Sequence, residues 1–532
     1  MESFKVCKSI NIGASGKGCQ LRLGDIDGDG RMEFVMVKPN SVPDERYFAH
    51  KALAISAYSI DNELLWQIGT PNSEASPLAC DVPVQIYDID KDGKNEVIAV
   101  IDDQLYIFDG KTSEVKKQIT LPDKHIGGNI LICALEGSGY AQNIILKNKF
   151  SHIWALDVNL NVIWDFEGNI GLCPVAYDIN NDGKDEIIAG YNVLNGAGEL
   201  LWKVDMPGHA KSICVDNLFK KDMPTIIISG PFIRAYLPNG ECQWQLDESA
   251  SNIAISNFRD NTKNKDFLVF DNLSLFDHQG NFLYEKNETI YAPSIVWGFD
   301  NTKRVYIAGR KKDDIFTTLY DGYMRPVYTI DSIGNITSGD INGSGNSQVI
   351  IYGDETLYVY SLSDEDLSVP SRPYALPQLR QHYNVSIYNT LPTAQNSQGY
   401  LADDFAAQNI LKWAETYASL NMHNSYAKVS RSEFVLLIAT MLNIKEEFSE
   451  NFADVLKDTT YYEAVGAFKA LNIIDSEDNL FRPSDTITVA LANDILDNLS
   501  MDIFFGFDER YELSKQDLAK FILTLSSKDK QK

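Results

Sequence analysis

An acidic loop with side-chain oxygens at alternate positions recurs between short apolar runs, and this repeat constrains the fold more than any other feature. DIDGDGRME at 25–33 is its fullest form, and DIDKDGKNE at 88–96 is a second. DINNDGKDE at 178–186 is a third, and DINGSGNSQ at 340–348 is a degenerate copy in which most carboxylates have become neutral groups. Repeats of roughly 35–50 residues are typical of solenoids and propellers.

The runs around these loops are short strands divided by Gly, Asn and Asp turns. Four strands per repeat fit a blade of a β-propeller, which packs its faces against its neighbours. Units begin near residues 20, 84, 128, 172, 211, 251, 292 and 335. The last has room for three strands before Leu362, and FKVCKSINI at the N-terminus is predicted to supply the fourth. The prediction is a mainly β fold with an eight-bladed propeller, seven blades being the alternative count.

Beyond the β repeats the periodicity of the sequence becomes helical. Residues 366–400 are rich in Pro, Asn and Ser and are predicted to form a linker. Apolar residues then recur at helical spacing, and Ser430 with Glu433 forms a capping box before an apolar run. We therefore predict a propeller over 1–365, a linker over 366–400 and an all-α domain over 401–528.

Charge and composition exclude several classes of partner. The formal net charge of −27 argues against nucleic acid and anionic membrane surfaces. No apolar run approaches the ~20 residues of a membrane-spanning helix, and the N-terminus lacks the apolar core of a signal peptide. The seven cysteines are scattered and odd in number, so they are predicted to be buried and reduced.

The acidic loops have the chemistry of a calcium site. Alternate oxygen ligands, a glycine for the tight turn and a closing carboxylate are what Ca²⁺ needs from one segment. The loop is shorter than an EF-hand loop and is flanked by β runs. The alternative is a set of Asx-rich turns without metal. The predicted Ca²⁺ ligands are Asp25, Asp27, Asp29, Glu33, Asp88, Asp90, Asp92, Glu96, Asp178, Asn180, Asp182 and Glu186. Because each loop joins the first two strands of a unit, its predicted role is structural.

A second group of loops is predicted at the opposite end of the units, where the ligand site of a propeller usually lies. These loops hold four of the seven histidines and many cations, which suits an anionic polymer or oligomer. For each residue alone, a solvated side chain is the competing interpretation. The predicted catalytic residues are His209, Lys211 and His125. The predicted substrate-binding residues are His50, Arg46, Lys149, His152, Tyr291 and Arg310.

Residues 20–370 resemble the propeller-type rhamnogalacturonan lyases and, more loosely, proteins with Ca²⁺-binding FG-GAP-like repeats. The resemblance is carried by DINNDGKDEII at 178–188 followed by PGHAK at 207–211, where Lys211 replaces the Asp of the lyases. It implies a pectin backbone of alternating rhamnose and galacturonate as substrate. β-Elimination needs a cation to neutralise the uronate carboxylate and a base to remove the adjacent proton. Lys, Arg or bound Ca²⁺ are candidates for the cation, and His209 or His125 for the base.

The helical part resembles S-layer homology domains. Residues 452–488 follow that repeat, with FADV at the start and FRP before the next helix. The T-R-A-E motif corresponds to SRSE at 430–433, TVAL at 488–491 and SKQD at 514–517. The resemblance implies a cell-wall polymer as partner.

Two functions remain open from the sequence. The first is a polysaccharide lyase acting on an acidic polysaccharide or oligosaccharide. The second is a non-catalytic cell-surface propeller that binds carbohydrate or protein and carries a wall-anchoring domain. Location is also open, because the helical part favours the cell surface whereas the N-terminus and the unpaired cysteines favour the cytoplasm.

Overall fold

The structure is a computed structural model, and the residues it describes form two compact units. They are 4–72, 81–137, 141–180, 182–220, 223–259, 264–286, 289–297, 305–342, 347–362, 384–386, 428–442, 444–476, 478–499, 512–513 and single residues at 262, 367, 501, 510 and 518. The units span residues 1–402 and 403–532. Most of the predicted linker, the predicted helix at 401–420 and the SKQD motif lie outside the described residues.

The first unit is built from antiparallel sheets of four strands, of which sheets 1 and 2 are joined into one eight-stranded sheet by a parallel bridge between Ala52 and Ile101. Sheet 1 contains β2 (Gln20–Gly24), β3 (Glu33–Pro39), β4 (Ala52–Tyr58) and β5 (Leu64–Gly69). Sheet 2 contains β6 (Val84–Tyr87), β7 (Glu96–Ile101), β8 (Gln104–Asp109) and β9 (Val115–Thr120). Sheet 3 contains β10 (Ile130–Cys133), β11 (Asn143–Lys147), β12 (His152–Leu156) and β13 (Val162–Glu167). Sheet 4 contains β14 (Val175–Tyr177), β15 (Glu186–Ala189), β16 (Asn192–Leu194) and β17 (Leu200–Lys203).

The remaining sheets repeat this order, and the last one uses the N-terminus. Sheet 5 contains β18 (Ser212–Lys220), β19 (Met223–Ser229), β20 (Ile233–Tyr236) and β21 (Cys242–Leu246). Sheet 6 contains β22 (Ile253–Ser256), β23 (Asp266–Val269), β24 (Ser274–Phe276) and β25 (Phe282–Glu285). Sheet 7 contains β26 (Tyr291–Trp297), β27 (Val305–Arg310), β28 (Thr317–Tyr320) and β29 (Pro326–Ile330). Sheet 8 contains β30 (Asn335–Gly339), β31 (Gln348–Tyr352), β32 (Thr356–Ser361) and β1 (Lys5–Asn11).

The N-terminal strand completes the last sheet, as the sequence predicts. β1 pairs antiparallel with β32, with Lys5 opposite Ser361 and Asn11 opposite Thr356. A short 3-10 helix, Gly13–Ser15, then leads into sheet 1. The fourth strand of sheet 8 is thus the first strand of the chain. Its pairing with β32 joins the beginning and the end of the strand sequence in this unit.

Neighbouring sheets pack face to face in a cyclic order. Apolar clusters join sheets 1 to 2, 3 to 4, and each later pair in turn. Gln85 of β6 bonds to the Ile130 carbonyl of sheet 3. In a further cluster, Ile341 and Ile350 at sheet 8 pack with Phe34 of sheet 1. First strands such as β6 and β10 are buried along their length, whereas fourth strands such as β9 are largely exposed. The first strands therefore lie innermost.

The fourth strands share a pattern of two apolar residues followed by an aromatic one, such as LLW at 64–66, VIW at 162–164 and LLW at 200–202, and the aromatic residue makes a contact between sheets. The indole of Trp164, on the fourth strand of sheet 3, donates to the Gly196 carbonyl in the third turn of sheet 4 at 3.0 Å. Trp202 bonds to Pro238 of sheet 5 in the same way at 2.9 Å. A Cβ on Gly198 would lie 2.6 Å from the Trp164 ring, and the φ of that residue is +80°. Only glycine suits a turn lying under the indole.

Three helices are described in the second unit: α1 (Arg431–Met441), α2 (Tyr462–Ala470) and α3 (Val489–Asn498). They share a buried cluster that includes Phe434 and Phe468. The predicted capping box at Ser430 is confirmed, because its hydroxyl accepts from the Glu433 amide while the Glu433 carboxylate accepts from the Ser430 amide. Within the described part of the chain, no helix is long and apolar enough to span a membrane.

Candidate functional site

The acidic loops share a backbone framework anchored by their first aspartate. In loop 1 (25–33), Asp25 is fully buried and accepts from the amides of Gly28 at 2.8 Å and Gly30 at 3.0 Å. Asp88 in loop 2 (88–96) and Asp178 in loop 3 (178–186) accept the equivalent glycine amides, each at 2.9 Å. These bonds account for the Asp of the repeat, and the positive φ of Gly30, Gly93 and Gly183 accounts for the Gly.

The closing carboxylate also has a structural partner. Glu33 accepts from the Ile26 amide at 2.9 Å, and Glu96 and Glu186 make the same bond in loops 2 and 3. In the degenerate copy Gln348 accepts from Ile341 at 2.9 Å. A neutral carboxamide thus serves as well as a carboxylate, so this contact does not depend on a metal.

Loops 1 and 2 each bring three carboxylates together, and in loop 2 these belong to Asp88, Asp90 and Glu96. One carboxylate oxygen from each of Asp25, Asp27 and Asp29 lies within 4.8 Å of the others. Burial and the negative charges of Asp25 and Asp27 raise the pKa of Glu33 well above its usual value. A cation among these carboxylates would relieve that repulsion.

Both loops hold a side-chain cation. In loop 1 the Arg31 guanidinium donates to Asp29 Oδ2 at 2.6 and 2.8 Å, and in loop 2 the cation comes from a neighbouring strand. The Lys116 ammonium on β9 lies 2.6 Å from Asp90 Oδ2, 2.8 Å from Glu96 Oε1 and 3.2 Å from Asp92 Oδ2. The same strand position is Leu65 in sheet 1 and Leu201 in sheet 4. Lys116 therefore offsets part of the negative charge of the loop, and a metal would have to displace it.

Loop 3 is poorly arranged for a metal. The Asn180 amide nitrogen donates to Asp182 at 3.2 Å and to Glu186 at 3.1 Å. The carboxamide would have to turn over before its oxygen could act as a ligand. Burial raises the pKa of Glu186 to about 7.

In sheets 5 and 6 a basic side chain pairs with the carboxylate at the position of an acidic loop. Asp216 occupies the first-aspartate position of sheet 5, and it forms a buried ion pair with Lys265 of the next sheet. Asp266 occupies the closing position of sheet 6 and receives a two-pronged bond from Arg259 at 2.8 and 2.9 Å. Lys265 and Arg259 thus occupy the positions at which other repeats have a potential metal site.

Several predicted site residues are engaged within their own loops or sheets. His125 is 51% exposed and bonds to Asp123 at 2.8 Å. Arg46 is 78% exposed and pairs with Asp44 at 2.7 Å. His152 bonds to Asp165 on the outermost strand of sheet 3. Arg310 lies 6.0 Å from the ring centroid of Tyr291, and the two form a separate pair on sheet 7.

His209 has the geometry of a positioned base. Its ring stacks on Phe150 at 4.1 Å, and its Nδ1 lies 2.8 Å from Asn169 Oδ1. The Asn169 amide nitrogen donates to the Gly208 carbonyl at 2.6 Å, which fixes the orientation of the carboxamide. Nδ1 must therefore carry the proton, leaving Nε2 as the acceptor. Partial burial lowers the pKa of His209, which favours the neutral ring.

One of the predicted cations lies near this ring pair, and a second follows His209 in the same loop. Lys149 Nζ is 5.8 Å from the Phe150 ring centroid. The Lys211 ammonium donates to Ser249 Oγ at 2.9 Å. Next to the stack, an open groove of about 660 Å³ is lined by residues including Asn169, Lys203 and Asp205. His209 and Lys149 are thus the predicted residues that the Phe150 ring brings together, while Lys211 lies two positions beyond His209 in the same loop.

A buried polar pocket lies behind this surface. His50, Lys147, Lys149 and Asp81 line a cavity with room for about one water molecule. His50 bonds to the Asn40 carbonyl through Nδ1 at 2.7 Å, and within the described residues its buried Nε2 has no partner. His50 therefore lies beneath the surface, where it is not positioned for the predicted direct contact with a polymer.

Sequence reasoning missed Asp81 and Asn169. Each lies in the connection leading into a first strand, at the end opposite the acidic loops. A polar residue directly before a buried apolar strand is the one signal that could have marked Asp81.

Replacing Lys147 with methionine is expected to remove a pH dependence of stability. Burial lowers the pKa of Lys147 to about 8, against ~10.4 in an unfolded chain. Between these values the unfolded chain holds the extra proton, so wild-type stability rises with pH. The gain from pH 7 to 10.5 should shrink by about 3 kcal/mol in the variant, measured by urea unfolding. Lys203→Met, at an exposed site, should leave the gain unchanged; an unchanged gain in Lys147→Met would contradict the shift.

Comparison with known proteins links this chain to rhamnogalacturonan lyases at low identity. No family profile matches the chain. Rhamnogalacturonan endolyase YesW of Bacillus subtilis (strain 168) is 24% identical over 259 residues, which cover 37% of this chain and 41% of the enzyme. The chain thus spans about two fifths of the length of this curated relative.

Solved structures show the fold. Exotype rhamnogalacturonan lyase YesX aligns with a TM-score of 0.53 and 16% identity, over 66% of this chain and 75% of the enzyme. The Vibrio cholerae biofilm matrix protein Bap1 aligns with a TM-score of 0.54 and 12% identity, over 74% of this chain and all of that chain. The similarity to the lyases is therefore one of architecture and weak sequence identity.

Proposed function

We propose that this chain is a polysaccharide lyase-like protein that cleaves a rhamnogalacturonan-type acidic polysaccharide by β-elimination. The cyclic packing of four-stranded sheets supports an eight-bladed propeller as the scaffold. One observation carries the proposal: Asn169 holds His209 with Nε2 as proton acceptor, and Lys149 contacts the Phe150 ring on which His209 stacks.

In this mechanism each residue has one task. Lys149 and Lys211 neutralise the uronate carboxylate and so acidify the adjacent C–H. Nε2 of His209 takes that proton as the C–H bond breaks, a double bond forms, and the C4–O bond breaks with departure of the sugar. The released oxygen then takes a proton from a donor or from water. The net result is an unsaturated uronate and a shortened polymer.

An ultraviolet assay tests this function. The protein is incubated with rhamnogalacturonan and Ca²⁺, and absorbance of the unsaturated product is followed. Steady formation of product supports the proposal. Absence of product at high protein concentration, with a known lyase active in parallel, would exclude it.

We further propose that loop 1 binds one structural Ca²⁺ and that Lys116 excludes the ion from loop 2. Calorimetric titration is expected to show one site in the wild type and one more in Lys116→Leu, which copies sheets 1 and 4. Asp27→Ala should weaken the first site at least about tenfold. At 100 times the dissociation constant, Ca²⁺ should stabilise the fold by about 2.7 kcal/mol. No binding by the wild type, or unchanged stoichiometry in Lys116→Leu, would contradict this assignment.

Non-catalytic binding at a cell surface is the second candidate. Carboxylates of Glu167 and Asp205 line the groove beside His209, and this lining suits a neutral sugar better than a polyuronate. In the helical unit, Arg431 bonds to the Phe481 carbonyl and Ser432 to the Pro483 carbonyl. A pull-down with purified cell-wall polymer, repeated with Arg431→Ala, tests the anchoring role. Retention of wild type alone would support it.

A further inference from the structure

A short segment that follows the sheets lies against their innermost strands. Asn384, Val385 and Ser386 contact sheets 2 and 3 at the end opposite the acidic loops. Asn384 is 5% exposed and adopts a left-handed backbone with φ of 59°. These residues follow the predicted strands in sequence but belong to the same compact unit.

Two carboxamide groups form paired bonds to backbone in this contact. The Asn384 side chain accepts from the Ile132 amide at 2.5 Å and donates to the Ile132 carbonyl at 2.7 Å. The Gln85 side chain likewise accepts from the Val385 amide and donates to the Val385 carbonyl, each at 3.1 Å. Each carboxamide supplies one donor and one acceptor to the backbone of a single residue, as a neighbouring strand would. The segment therefore covers the inner edge of β10.

The end of the segment reaches the polar pocket. The Ser386 hydroxyl bonds to Asp81 Oδ2 at 2.5 Å, and Asn129 donates to both Asp81 and the Val385 carbonyl. Asp81 also lies 3.6 Å from Arg22 and lines the cavity shared with Lys147. Six side-chain hydrogen bonds thus hold these three residues.

We propose that Gln85, Asn129, Asp81 and the edge of β10 form a peptide-recognition site occupied by the chain's own Asn384-Val385-Ser386. Recognition requires a carboxamide at the first position, backbone groups at the second and a hydroxyl at the third. The bound segment closes the inner ends of sheets 2 and 3 beside the candidate site. A polymer reaches Asp81 and Asn129 only after the segment leaves.

Opening the site in the full-length chain tests this proposal. Asn384→Ala removes both bonds to Ile132, and hydrogen exchange at the Ile132 amide should become about 10- to 30-fold faster. A fluorescent peptide of residues 381–390 should then bind the variant saturably but not the wild type. The same peptide with alanine in place of its Asn384 should not bind. Asn159→Ala in the full-length chain, at an exposed turn of sheet 3, is the matched control and should behave as wild type.

Each outcome decides the proposal. Unchanged exchange at Ile132 would overturn it, because the contact would then not protect that amide. Faster exchange without peptide binding would also overturn it, because the segment would then be a tie and not the occupant of a binding site. If Asn384→Ala unfolds, Ser386→Ala takes its place, because it removes the bond to Asp81, and it should admit the peptide. No polysaccharide is used, so the result is independent of the proposed lyase activity.

Discussion

His209→Ala is expected to lower kcat/KM for β-elimination by about 10²- to 10⁴-fold. The variant removes the ring whose Nε2 takes the proton and leaves Lys149 and Lys211 in place to bind the uronate. KM should therefore change less than kcat. Initial rates of unsaturated product formation on rhamnogalacturonan measure both constants.

His125→Ala is the matched control for this variant. His125 was an alternative base from the sequence, but it is exposed and bonds to Asp123 in its own loop. Its replacement should leave kcat within about twofold, in keeping with an exposed surface residue. Loss of activity in His125→Ala with full activity in His209→Ala would reverse the assignment.

Asn169→Ala should lower kcat and alter its pH profile, because Asn169 fixes the tautomer of His209.

Asp216→Ala is expected to lower the free energy of unfolding by about 3–5 kcal/mol. The change leaves the Lys265 ammonium in a buried position without the carboxylate that compensates it. Urea unfolding followed by tryptophan fluorescence reports on this unit, because four of its indoles bridge neighbouring sheets.

A double variant shows whether the loss of stability comes from the unpaired charge or from the smaller side chain. Asp216→Leu with Lys265→Met removes both charges and should recover most of the stability, since apolar groups of similar size often replace a buried pair at little cost. Asp205→Ala breaks the exposed contact with Lys203 and should change stability by less than about 1 kcal/mol. Equal losses in the single and double variants would show that the charges themselves are not responsible.

The architecture was largely predictable because its signals are local. The acidic loop marks the turn between the first and second strands, and the aromatic pattern marks the fourth strand. Both arise from short-range contacts. Asp25 accepts hydrogen bonds from amides of its own loop, and the turn that packs against Trp164 contains a glycine. The addition of β1 to the last sheet was predictable because an unfinished sheet leaves an unpaired edge.

The sites were less predictable, because identical loops differ in what approaches them. Loops 1 and 2 have nearly the same sequence, yet Lys116 reaches only the second, from a strand 20 positions beyond Glu96. Similarly, His125 and His209 are both loop histidines beside cations. Only His209 has a neighbour from another connection, Asn169, that sets its tautomer.

By itself the sequence determined the repeating β architecture, the acidic loops and the side of the sheets on which the basic loops lie. Tertiary structure decided which loop receives a lysine from a neighbouring strand, which histidine is positioned, and that Asn384-Val385-Ser386 covers the inner strands. The physical reason is distance along the chain. Each repeat is defined by residues that are close together in the sequence. Ser386 and Asp81, in contrast, are separated by 305 positions and come into contact only in the folded unit.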